Sequence, residues 1–124
     1  FDENSVLFGK LRPYLRKFAK PNFQGVCSSE IWVLTSKKMQ PNFLFQYVQT
    51  DGFSELTQIQ AGSKMPRADW SSMAKVKVFI PNSKKEQTAI GQFFKQLDDT
   101  VSLQAKQLKS LENLKKALLA KMFV

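Results

Sequence analysis

Histidine is absent from the 124 residues, which removes Ser-His and Cys-His nucleophilic pairs and the commonest zinc ligand together. Cysteine occurs once, at Cys27, so neither an internal disulfide nor a thiolate metal site can form, and a reducing, cytoplasmic setting is expected. Its place in the apolar run 25–34 predicts a buried packing role instead of a nucleophile's. The five glycines, Gly9, Gly25, Gly52, Gly62 and Gly91, are too dispersed to build a phosphate-cradling loop or a dinucleotide turn. None of Glu3, Glu30, Glu55, Glu86 and Glu112 has a lysine two positions later, which disfavours a common class of metal-dependent nuclease. Asp98 and Asp99 are adjacent, diverge by about 100° on a helix and read as a solvated face, not a magnesium site. Apolar residues never run on for the ~18 positions a bilayer needs, so a soluble chain is expected.

What is abundant is positive charge. Nineteen Lys and Arg against ten Asp and Glu give a formal charge of +9, which attracts polyanions. A basic protein with no polyanionic partner fits the same balance. The chain starts at Phe1 instead of Met and enters strand-like sequence at Val6, so a fragment or processed product is expected.

Punctuation by Gly9, Pro13, Pro21 and Gly25 divides residues 5–34 into extended segments, read as strands of a small mixed sheet. Phe43, Leu44, Tyr47 and Val48 then follow Pro41 at helical spacing; Asp51 and Gly52 can end that helix, and Phe53, Leu56 and Ile59 resume the period. Residues 61–72 read as a loop, and the alternation in 75–80 predicts a half-buried strand closed by Pro81. Ser83 and Glu86 form a capping box that starts a helix with no later glycine or proline than Gly91, on the order of 55 Å long. The expected class is α+β, with a small domain at 1–82 and a helical arm at 83–124.

Along the arm, Gln87, Ile90, Phe94, Leu97, Val101, Gln104, Leu108, Leu111, Lys115, Leu118 and Met122 recur at heptad spacing. Gln104 and Lys115 weaken this seam but can restrict register. Phe93, Leu103 and Leu114 widen the apolar surface, and the first two turns are expected to fold back on the sheet.

Two segments carry candidate binding chemistry. Residues 10–20 interleave cations with aromatic and aliphatic side chains; as a strand, they would place Lys10, Arg12 and Arg16 on one face and Leu11 and Leu15 on the other. That face could meet phosphate, or simply be solvated. Residues 62–70 offer Ser63, Lys64 and Arg67, and a bidentate arginine can discriminate guanine by about 1–3 kcal/mol. Asp69 could instead neutralise Arg67, and Trp70 could be a core anchor.

Taken in order, Val6-Leu7-Phe8-Gly9-Lys10-Leu11-Arg12-Pro13-Tyr14-Leu15-Arg16-Lys17, Cys27-Ser28-Ser29-Glu30-Ile31, Gly62-Ser63-Lys64-Met65-Pro66-Arg67, Ile80-Pro81, Glu86-Gln87-Thr88-Ala89-Ile90 and Leu111-Glu112-Asn113-Leu114-Lys115-Lys116-Ala117-Leu118-Leu119 resemble the DNA specificity subunit of a type I restriction-modification system. A complete subunit of that family has two target recognition domains joined by two antiparallel helices. This chain resembles the second portion of one domain plus one helix.

The resemblance implies a non-catalytic component that directs methyltransferase and restriction subunits to a split DNA site. It puts Lys10, Arg12, Arg16, Lys17, Ser63, Lys64 and Arg67 on the DNA-facing side, and gives Ile90, Phe94, Leu97, Val101, Leu108, Leu111, Leu118 and Met122 to helix assembly. Implied partners are duplex DNA, adenine methyltransferase subunits, a restriction subunit and a second specificity chain or half. No cofactor is expected on this chain; S-adenosylmethionine belongs to the partner subunits. The contrasting expectation is a truncated or recombination-donor piece that assembles through its helix without binding DNA.

Overall fold

A computed structural model describes residues 1–58 and 66–123; the expectations for Ile59, Gly62, Ser63, Lys64 and Met65 lie outside them. The architecture is α+β. Strand β1 (Val6–Gly9) lies between β2 (Phe18–Ala19) and β3 (Ile31–Leu34), and both pairings are antiparallel, so the expected mixed sheet is an antiparallel one. Alternation along β1 turns Val6 and Phe8 inward, at 0% and 1% exposure. Register sets Phe8 opposite Phe18 on one side and Trp32 on the other.

Helices α1 (Pro41–Tyr47) and α2 (Asp51–Thr57) cover the core. Pro41 suits the first turn of α1 because its missing N–H would have no intrahelical partner there, and the Gln40 side chain accepts from the Phe43 amide at 3.0 Å. Leu44 and Val48, four residues apart, reach the core from one face. Thr50 caps α2 by accepting from the Phe53 amide at 3.2 Å. Asp51 and Gly52 therefore open α2, a correction to the expectation that they end α1. Phe53 meets Phe8 edge to face, with centroids 5.2 Å apart, and Ala68 and Met73 complete the core.

Other expectations fail as well. Residues 10–17 do not form a continued strand: Pro13–Leu15 make a 3-10 turn flanked by Arg12 and Arg16 in the left-handed region, at φ 52° and 51°. Residues 76–80 are irregular, because no neighbouring strand pairs with them among the described residues. Cys27 is exposed, since β3 begins only at Ile31 and residues 26–29 lie outside the core. A one-turn helix, α3 (Trp70–Met73), stands where the loop was expected to continue, with the Asp69 side chain accepting from the Ser71 amide.

Helix α4 runs Lys84–Met122, and the Ser83 hydroxyl accepts from the Glu86 amide at 3.3 Å. The chain divides into two compact units, Phe1–Gln92 and Phe93–Val124. The first turns of α4 pack on α1, not on the sheet as expected: a Cβ on Gly91 would stand 2.9 Å from Asn42 Cβ and 3.0 Å from Phe43 N. Gln87, 1% exposed, accepts from the Gln40 amide at 2.8 Å and donates to the Lys38 and Pro81 carbonyls at 2.9 and 2.8 Å. In the second unit Phe94, Leu97, Val101, Leu108, Leu111, Leu118 and Met122 are exposed along one continuous helix. No helix among the described residues is long and apolar enough to cross a membrane.

Candidate nucleic-acid interface

The two basic segments, 10–20 and 62–70, meet through their backbones. Leu11 and Arg67 form an antiparallel bridge in which the Arg12 amide donates to the Pro66 carbonyl at 2.7 Å and the Ala68 amide donates to the Lys10 carbonyl at 2.8 Å. Pro66 and Ala68 are buried while Arg67 between them is exposed, so the bridge holds the guanidinium outward. The Lys10 amide donates to the Glu30 carbonyl at 3.0 Å, and the Gly9 amide to the Lys17 carbonyl at 2.9 Å. Lys10, Arg12, Lys17 and Arg67 are thereby gathered at the end of β1.

Glu30 was given no role from the sequence and is the main addition. Both of its carboxylate oxygens accept from Arg67, at 3.1 Å from Nε and 3.2 Å from Nη2. Arg67 thus pairs with Glu30 and not with Asp69, whose carboxylate serves Ser71 and Ser72. The hydrogen bond from Arg67 holds the Glu30 carboxyl below its ordinary value, with the charges of Arg67 and Lys10 acting the same way, and the pair raises Arg67 in turn. A guanidinium has five N–H donors; this contact uses the Nε/Nη2 edge and leaves the donors of Nη1 to another partner. No signal in the sequence could have paired residues 30 and 67, because their proximity depends on the bridge.

Arg16 does not join this cluster. Its guanidinium donates to Asp51 Oδ1 at 3.0 Å and to the Gln49 carbonyl at 2.8 Å, tying the 3-10 turn to the start of α2. The expected common face of Lys10, Arg12 and Arg16 therefore does not exist: the left-handed residues at Arg12 and Arg16 break the alternation it required. Trp70 is neither a free platform nor a fully buried anchor; it stands half exposed, edge-on to Trp32 at 5.4 Å. Beneath α1 to α3, a cavity of 300 Å³ walled by Tyr47, Phe53, Trp70 and Met73 carries no charged side chain, and burial pushes the Tyr47 phenol up. No three His, Cys, Asp or Glu among the described residues gather around a point that could hold a metal ion.

An outward arginine on a docked segment beside three further cations has the chemistry of a DNA-reading surface. The sequence profile of the type I restriction modification DNA specificity domain matches residues 1–113, and the chain belongs to that family. Among individual proteins, it is 28% identical over 128 aligned positions to the specificity subunit of the type I restriction enzyme EcoDI from Escherichia coli. That alignment takes in 99% of this chain and 28% of the subunit, so the chain spans little more than a quarter of its relative's length.

Proposed function

We propose that this chain chooses the DNA site for a cytoplasmic type I restriction-modification complex, directing adenine methyltransferase and restriction subunits to one half of a split target. It performs no chemistry itself; S-adenosylmethionine is held by the methyltransferase subunits. Lys10, Arg12 and Lys17 contact phosphates and set the register, while Arg67, with Ser63 and Lys64 on the same segment, reads base edges. The observation that carries this reading is the Leu11–Arg67 bridge, which joins both basic segments and holds Arg67 outward. Glu30 is its positioning residue. By gripping one edge of the guanidinium, it reduces the freedom lost when the other edge meets a guanine.

Helix α4 supplies the assembly surface through Ile90, Phe94, Leu97, Val101, Leu108, Leu111, Leu118 and Met122, packing antiparallel on a second specificity chain or half. An isologous pair of this kind reads an inverted, interrupted repeat. The test of the DNA-reading surface is selection from a randomised duplex pool by the chain in complex with its methyltransferase subunits. Arg67→Ala should relax the preference at one base position, by a factor corresponding to about 1–3 kcal/mol, while other positions keep theirs. An unchanged base preference would remove Arg67 from the readout.

A further inference from the structure

A second cationic surface, built from other residues than the Arg67 cluster, lies where residues 36–39 and 78–82 meet the first turn of α4. These segments border a groove of 620 Å³ whose lining includes Lys37, Lys38, Phe79 and Lys84. Lys85 follows on the helix, Lys75 and Lys77 precede the groove along the irregular segment that borders it, and all six lysines are exposed. The sequence has no Asp or Glu in 31–50 or in 70–85; Glu86 is the first acid to follow.

Three carbonyls at the groove are already engaged. The Lys84 ammonium donates to the Lys37 carbonyl at 2.9 Å, and the Gln87 amide covers the Lys38 and Pro81 carbonyls. Oxygens that would repel an anion are thus turned to side-chain donors, while the ammonium groups of Lys37 and Lys38 keep their own donors for an outside partner. Buried Gln87 fixes the arrangement, because one amide ties the loop at 38–40 and Pro81 to α4. Glu30 precedes β3 and Lys37 follows it, so the two cationic clusters stand off opposite ends of a strand spanning ~10 Å.

We infer that Lys37, Lys38 and Lys84 form a second phosphate-gripping surface, which holds duplex DNA independently of base sequence. The inference rests on the DNA-reading role proposed above and adds a separate set of backbone contacts to it. Residues that only grip phosphate contribute affinity and salt sensitivity, and leave base preference untouched.

The experiment is a salt titration of duplex binding by fluorescence anisotropy, using the full chain and a 30-bp duplex. Wild type is compared with Lys37→Gln/Lys38→Gln/Lys84→Gln and with a control of equal charge change, Lys106→Gln/Lys109→Gln/Lys116→Gln. Glutamine keeps a donor for the Lys37 carbonyl, and circular dichroism checks the fold. The groove variant should bind at least about tenfold more weakly at low salt, with a log–log salt slope shallower by about 2 to 3, while the control stays near wild type. Equal losses in both variants would assign the effect to net charge and overturn the inference. A groove variant matching wild type would overturn it while leaving the DNA-reading role standing. A wild-type chain with no salt-dependent binding would overturn both.

Discussion

The unit ending at Gln92 and the helix that continues from Phe93 treat the same residue types in opposite ways. Phe8, Val48 and Phe53 are buried against one another, whereas Phe93, Leu97, Val101 and Leu111 stand exposed. The contrast is sharpest for two glutamines of one heptad pattern: Gln87 is enclosed and makes three hydrogen bonds, and Gln104 is exposed. Heptad spacing describes which side of a helix a residue is on, but not what covers it. In the first unit the cover is the chain's own α1; beyond it, an apolar stripe on a basic helix has the makings of an interface.

Core truncation gives the largest expected effect. Phe8→Ala should lose about 3–5 kcal/mol in denaturant unfolding, because the cavity opens between Trp32 and Phe53. Leu111→Ala should change unfolding of the isolated chain by no more than about 0.5 kcal/mol while weakening association measured by sedimentation. Equal effects at the two sites would erase the distinction between the regions.

The glutamine pair sharpens it further. Gln87→Leu strips the Gln40 amide and two carbonyls of their partner and should lose about 1–3 kcal/mol, whereas Gln104→Leu should leave unfolding unchanged and strengthen self-association. A smaller effect belongs to Arg12, whose left-handed backbone glycine adopts without strain. Arg12→Gly should keep or raise the melting temperature and still reduce duplex affinity, separating a DNA contact from a folding role.

The smallest effect is that of pH on the Arg67–Glu30 pair. A carboxyl whose value is lowered on folding contributes stability that is fully present above the ordinary glutamate value of about 4.3 and lost as pH falls through the lowered one. Carboxyl chemical shifts of Glu30 should therefore titrate below that value in wild type and move up toward it in Arg67→Gln.

Elements whose cause is local were legible in the sequence. Apolar runs bounded by glycine and proline marked β1 and part of β3, helical spacing marked α1 and α2, and Ser83 marked the start of α4. The failures share a distant cause. Arg12 and Arg16 leave the strand conformation because Pro66 accepts one amide and Asp51 and Gln49 hold the other's side chain, contacts that no local pattern encodes. Residues 75–80 alternate correctly, yet alternation alone makes no strand without a neighbouring ladder. Both basic segments were visible as compositions, but their meeting at the Leu11–Arg67 bridge, and Glu30's hold on Arg67, are products of the fold.

The decisive measurement is the methylation pattern of DNA in cells that express this chain with its methyltransferase subunits and no other specificity subunit. New adenine methylation at a palindromic, interrupted site is the predicted result, since two copies joined through α4 would present the same reading surface to both halves. No new methylation, with the chain still co-purifying with the methyltransferase, would contradict site selection by this chain and leave its helix as the working part.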